Sequence, residues 1–129
     1  MKRISFIIVS LLAFTLILSS CKKCDPIPNY TGKWVGKYGA TLPGTQDYTL
    51  FLNADGELGV IDGLGATAQA KGTWTIIGNS FRGTYKYLPA GSMFSIQATI
   101  SADGKTMTNG TYGTNDNVSG SGVFTMTKQ

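Results

Sequence analysis

Phe81-Arg82-Gly83-Thr84-Tyr85-Lys86-Tyr87 and, a few residues on, Phe94-Ser95-Ile96-Gln97-Ala98-Thr99-Ile100 decide the fold. In the first run Phe81, Gly83, Tyr85 and Tyr87 share one side of an extended chain and Arg82, Thr84 and Lys86 the other. In the second, Phe94, Ile96, Ala98 and Ile100 alternate with Ser95, Gln97 and Thr99. A period of two with one apolar face marks a half-buried strand. Working outward, Trp34, Gly36 and Tyr38 stand against Lys33 and Lys37, and Tyr48, Leu50 and Leu52 repeat the pattern. Leu58 and Val60, then Gly72, Trp74 and Ile76, continue it, and two weaker runs close the chain at Thr106 to Tyr112 and at Gly122, Phe124 and Met126. Eight strands are expected from Tyr30 onward, with no helical period between them.

The turn signals are of two kinds. Asn53-Ala54-Asp55-Gly56 and Ser101-Ala102-Asp103-Gly104 are near copies of one another, and Gly78-Asn79 is shorter still; these are tight connections after strands two, six and four. The remaining connections, Ala40 to Thr45, Asp62 to Thr67, Leu88 to Ser92 and Thr114 to Ser119, are longer. In an antiparallel meander alternate connections lie at opposite ends, so one end should hold every tight turn and the other every longer loop. An all-β, eight-stranded antiparallel up-and-down barrel is expected, because closure removes the exposed edges of a lone sheet. The alternative is a two-sheet sandwich, which the absence of a long Greek-key crossover disfavours.

The 129 residues divide before this domain. Met1-Lys2-Arg3 is followed by an uncharged run from Ile4 to Leu18, the form of a signal peptide. A membrane-spanning helix would want about 20 apolar residues. Leu18-Ser19-Ser20-Cys21 resembles the lipobox of bacterial lipoproteins. The resemblance implies cleavage before Cys21, a diacylglyceryl thioether on its sulfur and an amide-linked acyl chain on the new amino group, with chains such as palmitate, a durable membrane anchor. Lys22 after that cysteine, by resemblance to enterobacterial lipoprotein sorting, implies the outer membrane of a bacterial cell envelope. The organisation is then residues 1–20 as signal peptide, 21–29 as lipidated N-terminus and tether, and 30–129 as the barrel. A thioether on Cys21 leaves Cys24 a lone thiol. The tether, with Pro26 and Pro28, reaches on the order of 25 Å and holds the domain near the bilayer.

Charge and composition narrow the function. Net charge is +4, but Lys2 and Arg3 belong to the leader, leaving +2 for the mature chain. That balance, with no basic and aromatic interleaving on the outer faces, argues against a nucleic-acid partner. The chain has no histidine, and its seven acids are Asp25, Asp47, Asp55, Glu57, Asp62, Asp103 and Asp116. Nucleophilic catalysis needs a base poised near neutral pH, which this inventory lacks, so no catalysis and no catalytic residues are expected. Asp47, Asp62 and Asp116, near the longer loops, read as solvated acids; their convergence would point to an enzyme. Asn53 to Glu57 lacks the later ligands of a calcium loop, and Gly63-Leu64-Gly65 has no following helix with which to cradle phosphate. No cofactor and no metal are expected.

Thr31-Gly32-Lys33-Trp34 resembles the Gly-X-Trp element on the first strand of the calycins, the lipocalin and avidin group, and Asn53-Ala54-Asp55-Gly56 is similar to the avidin first hairpin. The resemblance implies that Trp34 closes the barrel floor, with Lys128 as the late basic residue that covers it. An avidin pocket needs several later tryptophans, and only Trp74 is present besides Trp34, so biotin is not implied. Depth along each strand places Trp34 and Trp74 toward the floor and Tyr38, Tyr48, Tyr85, Tyr87, Phe94 and Tyr112 toward the loop end. Rings bearing hydroxyls above an oily floor suit a small apolar or amphipathic ligand. The expected function is a membrane-anchored, non-catalytic lipoprotein that binds such a ligand at the loop end of its barrel. The alternative is an envelope protein-interaction module, resembling inhibitor barrels of the periplasm, with a filled interior and a protein partner at the Thr114 to Ser119 loop. A cavity reaching Trp34 and Trp74 would favour the first.

Overall fold

Alternating side chains drive each segment to extend and to bury one face, and the computed structural model, which describes residues 26–129, carries this through to closure. The strands are β1 (Gly32–Gly39), β2 (Gln46–Leu52), β3 (Glu57–Asp62), β4 (Ala70–Ile77), β5 (Ser80–Tyr87), β6 (Met93–Ile100), β7 (Thr106–Thr114) and β8 (Gly122–Lys128). Each pairs antiparallel with the next, and β1 pairs with β8 from Trp34↔Lys128 to Gly39↔Val123, making a closed barrel. The sandwich is therefore excluded, and among the described residues no sheet edge is left unpaired. Cys21, Cys24 and the lipobox lie outside the described residues.

The interior is apolar and full at its lower end. Trp34, Leu50, Leu58, Phe81, Met107 and Phe124 are all completely buried there, each contributing about 1.5–3 kcal/mol through loss of water contact. Lys33, Lys37, Lys71, Arg82 and Lys86 stand exposed on the outer wall. This oily-inside, charged-outside arrangement is the inverse of a barrel that faces lipid.

Tight turns gather at one end as expected. Gly56 and Gly104 each donate a backbone hydrogen bond three residues back, to Asn53 and Ser101, while the carboxylates of Asp55 and Asp103 accept from the amides of Glu57 and Lys105. Ile77 and Ser80 face each other across the two-residue turn at Gly78-Asn79. The N-terminal segment lies across this same end: the Trp34 indole donates to the Tyr30 carbonyl at 2.9 Å, and the Lys128 ammonium donates to the carbonyl of Asn29. Trp34 is thus sealed in the floor, with Lys128 beside it in register. Trp74 is only half-buried at the floor's margin, its indole donating to the Asn53 carbonyl.

Two departures from simple alternation matter for the mouth. Asn109, at φ 51, sits in a bulge where the β7–β8 register shifts between Met107 and Gly110. The extra residue moves the strand's phase by one, so Met107 and, further along, Tyr112 both turn toward the interior. β7 also runs on to Thr114, beyond the expected end at Tyr112.

Close approach dictates glycine at Gly36 and Gly72, where a β-carbon would lie 1.8 Å from the carbonyl oxygens of Thr125 and Thr84 respectively. Gly72→Ala should therefore break the β4–β5 pairing and cost about 3 kcal/mol or more. Gly78→Ala, which meets open space but sits at φ 63, should cost about 1–2 kcal/mol. Urea unfolding midpoints at constant m-value would rank them, and equal midpoints would show that strands β4 and β5 are not this close.

Candidate functional site

Antiparallel meandering puts the upper ends of β1, β3, β5 and β7 and the start of β2 and β6 at the longer-loop end, and each contributes an inward side chain there. Two aromatic groups result. On one side Tyr38 meets Tyr48 edge to face at 5.3 Å between centroids and Tyr112 at 5.7 Å. On the other, Tyr87 meets Tyr85 at 5.8 Å and Phe94 at 5.9 Å, and Tyr85 stacks on Phe94. Together they enclose a cavity of about 100 Å³. All six aromatic residues singled out in the sequence line it, and the rim connections include the cis peptides Leu42-Pro43 and Leu88-Pro89.

Hydroxyls tie the two groups together at two levels. Deep in the cup, the Tyr48 hydroxyl donates to that of Tyr85 at 2.9 Å, both side chains being buried. Nearer the mouth, Tyr38 donates to Oδ1 of Asp62 at 2.6 Å and Tyr87 to Oδ2 at 3.0 Å. One carboxylate therefore spans the opening and holds a ring from each side. Charge-assisted bonds of this kind are roughly twice as strong as neutral ones.

Asp62 is the site residue that sequence reasoning placed wrongly. It does not belong to a solvated loop; it ends β3 in phase with Leu58 and Val60 and so faces inward. That phase was present in the sequence, obscured by the turn signal of Gly63. The other two acids do not join it. Asp47 is paired with Lys37 at 2.7 Å on the outer wall, and Asp116 stays in the exposed β7–β8 connection. Among the described residues no three His, Cys, Asp or Glu side chains gather as a metal site.

The cup is shallow. Its lining does not include Trp34 or Trp74, because Tyr48 and Tyr85 cap the filled interior below. Even the gap at Gly83 is occupied: a β-carbon there would meet the Leu58 side chain at 2.9 Å and Ile96 at 3.1 Å. The β7–β8 connection does not cover the mouth from above. Ser95 Oγ donates to the Asn115 carbonyl at 2.5 Å, the Thr111 hydroxyl donates to the Val118 carbonyl, and the Asn115 amide donates to Met93, which fasten the connection to the sheet.

Burial raises every phenol of the cup. Desolvation is the main cause throughout: it lifts Tyr48 well above its ordinary value, Tyr38 and Tyr87 strongly with help from the Asp62 carboxylate, and Tyr112 to a smaller degree. Tyr85 is pushed up to about 12 from 10.0. All five phenols are therefore neutral donors at physiological pH. Comparison of the chain with protein-family models, with curated proteins and with solved structures finds no match.

A raised folded-state pKa stabilises the protein fully below the unfolded value and progressively less as pH climbs through the folded one. Stability should accordingly hold to about pH 10 and fall from there toward pH 12 and beyond, phenolate absorbance rising together with loss of near-ultraviolet dichroism. Phenols titrating near 10.0 with the tertiary signal intact would mean that water reaches the whole cup.

Proposed function

We propose that this chain is a membrane-anchored lipoprotein whose barrel binds a small molecule, or a small group on a larger one, in the tyrosine cup at its loop end, without catalysis. The single observation that carries the reading is the convergence of six aromatic side chains from five strands on one cavity floored by the Tyr48–Tyr85 hydrogen bond. A volume of about 100 Å³ lies well below the roughly 300–1,000 Å³ usual for drug-sized ligands. The occupant is therefore head-group-sized, and a long apolar chain buried down to Trp34 is not part of the reading. The raised phenol pKa values support binding over chemistry, since neutral tyrosines offer hydrogen bonds but no base. Anchoring rests on the lipobox resemblance at Leu18 to Cys21, with outer-membrane placement resting on Lys22. The tight turns and the N-terminal segment share one end, so a tether to a membrane would leave the cup facing away from it.

A protein-interaction module is the second reading, and one observation favours it. The core beneath the cup is filled, and Leu42, Leu64 and Leu88, exposed at 49%, 92% and 54%, stand in three connections around the mouth. A partner seated on these leucines would bury them without entering the barrel.

Native mass spectrometry of the protein purified from its own host should show a bound small molecule or lipid that is lost from Tyr85→Ala. Recovery only as a complex with another protein would favour the second reading. For the anchor, Cys21→Ala should accumulate as uncleaved precursor that incorporates no labelled palmitate; continued labelling would mean that a different residue is acylated.

A further inference from the structure

Resting on the cup reading above, we propose a class for its occupant: a compact organic cation, an alkylated ammonium group held against the tyrosine rings and the Asp62 carboxylate. Charge is the first argument. Among the described residues Asp62 is the one charged side chain lining the cavity, and the basic residues Lys37 and Lys86 face away, Lys37 bound to Asp47 outside and Lys86 exposed. Asp62 is also fixed in place by two phenols, so its charge stays at the mouth.

Ring geometry is the second. Tyr38 stands at 61° to Tyr48 and 83° to Tyr112, while Tyr87 stands at 73° to Tyr85 and 82° to Phe94. Steeply inclined rings around one small volume let a rounded group touch several of them, and aromatic faces are negative and attract cations that are weakly hydrated.

Competing occupants fit less well. A calcium or magnesium ion takes six or more oxygens, whereas the cup offers, among the described residues, a single carboxylate already engaged by two hydroxyls. An anion would meet Asp62 and the ring faces, with no counter-charge in the lining among the described residues. A purely apolar group would gain from the rings but would cover the carboxylate without compensating it. An alkylammonium is apolar at its surface and charged at its centre, and satisfies both.

Isothermal titration of the purified protein with choline chloride, and with the neutral dimethylbutanol isostere in which carbon replaces the nitrogen, tests the class directly. Choline should bind, and the isostere should bind about tenfold more weakly or less. Asp62→Asn should lower choline affinity by about tenfold and leave the isostere unchanged. Should that variant unfold, Tyr112 supplies a second pair, since its hydroxyl makes no hydrogen bond to the protein among the described residues: Tyr112→Phe should retain choline and Tyr112→Leu should weaken it. A short-chain phosphatidylcholine as a third titrant separates sources, tighter binding than choline assigning a lipid head group and weaker binding a free alkylammonium. Equal affinity for choline and isostere, or binding of the isostere alone, would overturn the cation and leave the cup reading intact. Binding of none of the three, with no change in the aromatic signals of the protein, would overturn both.

Discussion

Everything in this molecule depends on the pairing of β1 with β8. With that seam closed, every inward side chain is committed to one shared volume, and whatever does not fit must be glycine. The demand is visible where a β-carbon at Gly36 would strike the backbone of Thr125 across the seam itself. Closure also converts a pattern along the chain into a gradient along an axis. Large apolar groups fill the end of the tight turns, and aromatic groups with hydroxyls fill the end of the longer loops.

That gradient creates a boundary, and the Tyr48–Tyr85 hydrogen bond sits on it. Below, the rings and aliphatic chains exclude water. Above, polar atoms are available but already organised, with the Asp62 carboxylate accepting a hydrogen bond from each side of the barrel. The desolvation that raises the phenols is the same property that would strengthen any electrostatic contact made within the cup.

How much of this was legible depended on whether the information was local. Period-two runs and the twin hairpins at Asp55 and Asp103 specify strands and their shared end; depth along each strand brings Tyr38, Tyr48, Tyr85, Tyr87, Phe94 and Tyr112 to the loop end, and phase turns all of them but Tyr112 inward. Tyr112 reaches the cup for a reason not in the pattern: it and Met107 are of opposite parity, and only the bulge at Asn109 turns both inward. Asp62 was legible by phase but masked by the turn chemistry that follows it. The depth of the cavity was not legible at all, because filling by Leu58, Ile96 and Phe124 is decided by residues far apart in sequence. The calycin resemblance at Thr31 to Trp34 implied a floor tryptophan, and Trp34 occupies that place with Lys128 beside it. Trp74 shares the floor only in part.

The attachment of the β7–β8 connection to the sheet, through Ser95, Thr111 and Asn115, bears on kinetics. A segment stapled sideways cannot swing shut over the mouth, so this connection would add no gating step for a molecule entering the cup. For any occupant, the residence time would then owe nothing to movement of this connection and would follow from contacts with the rings and the carboxylate.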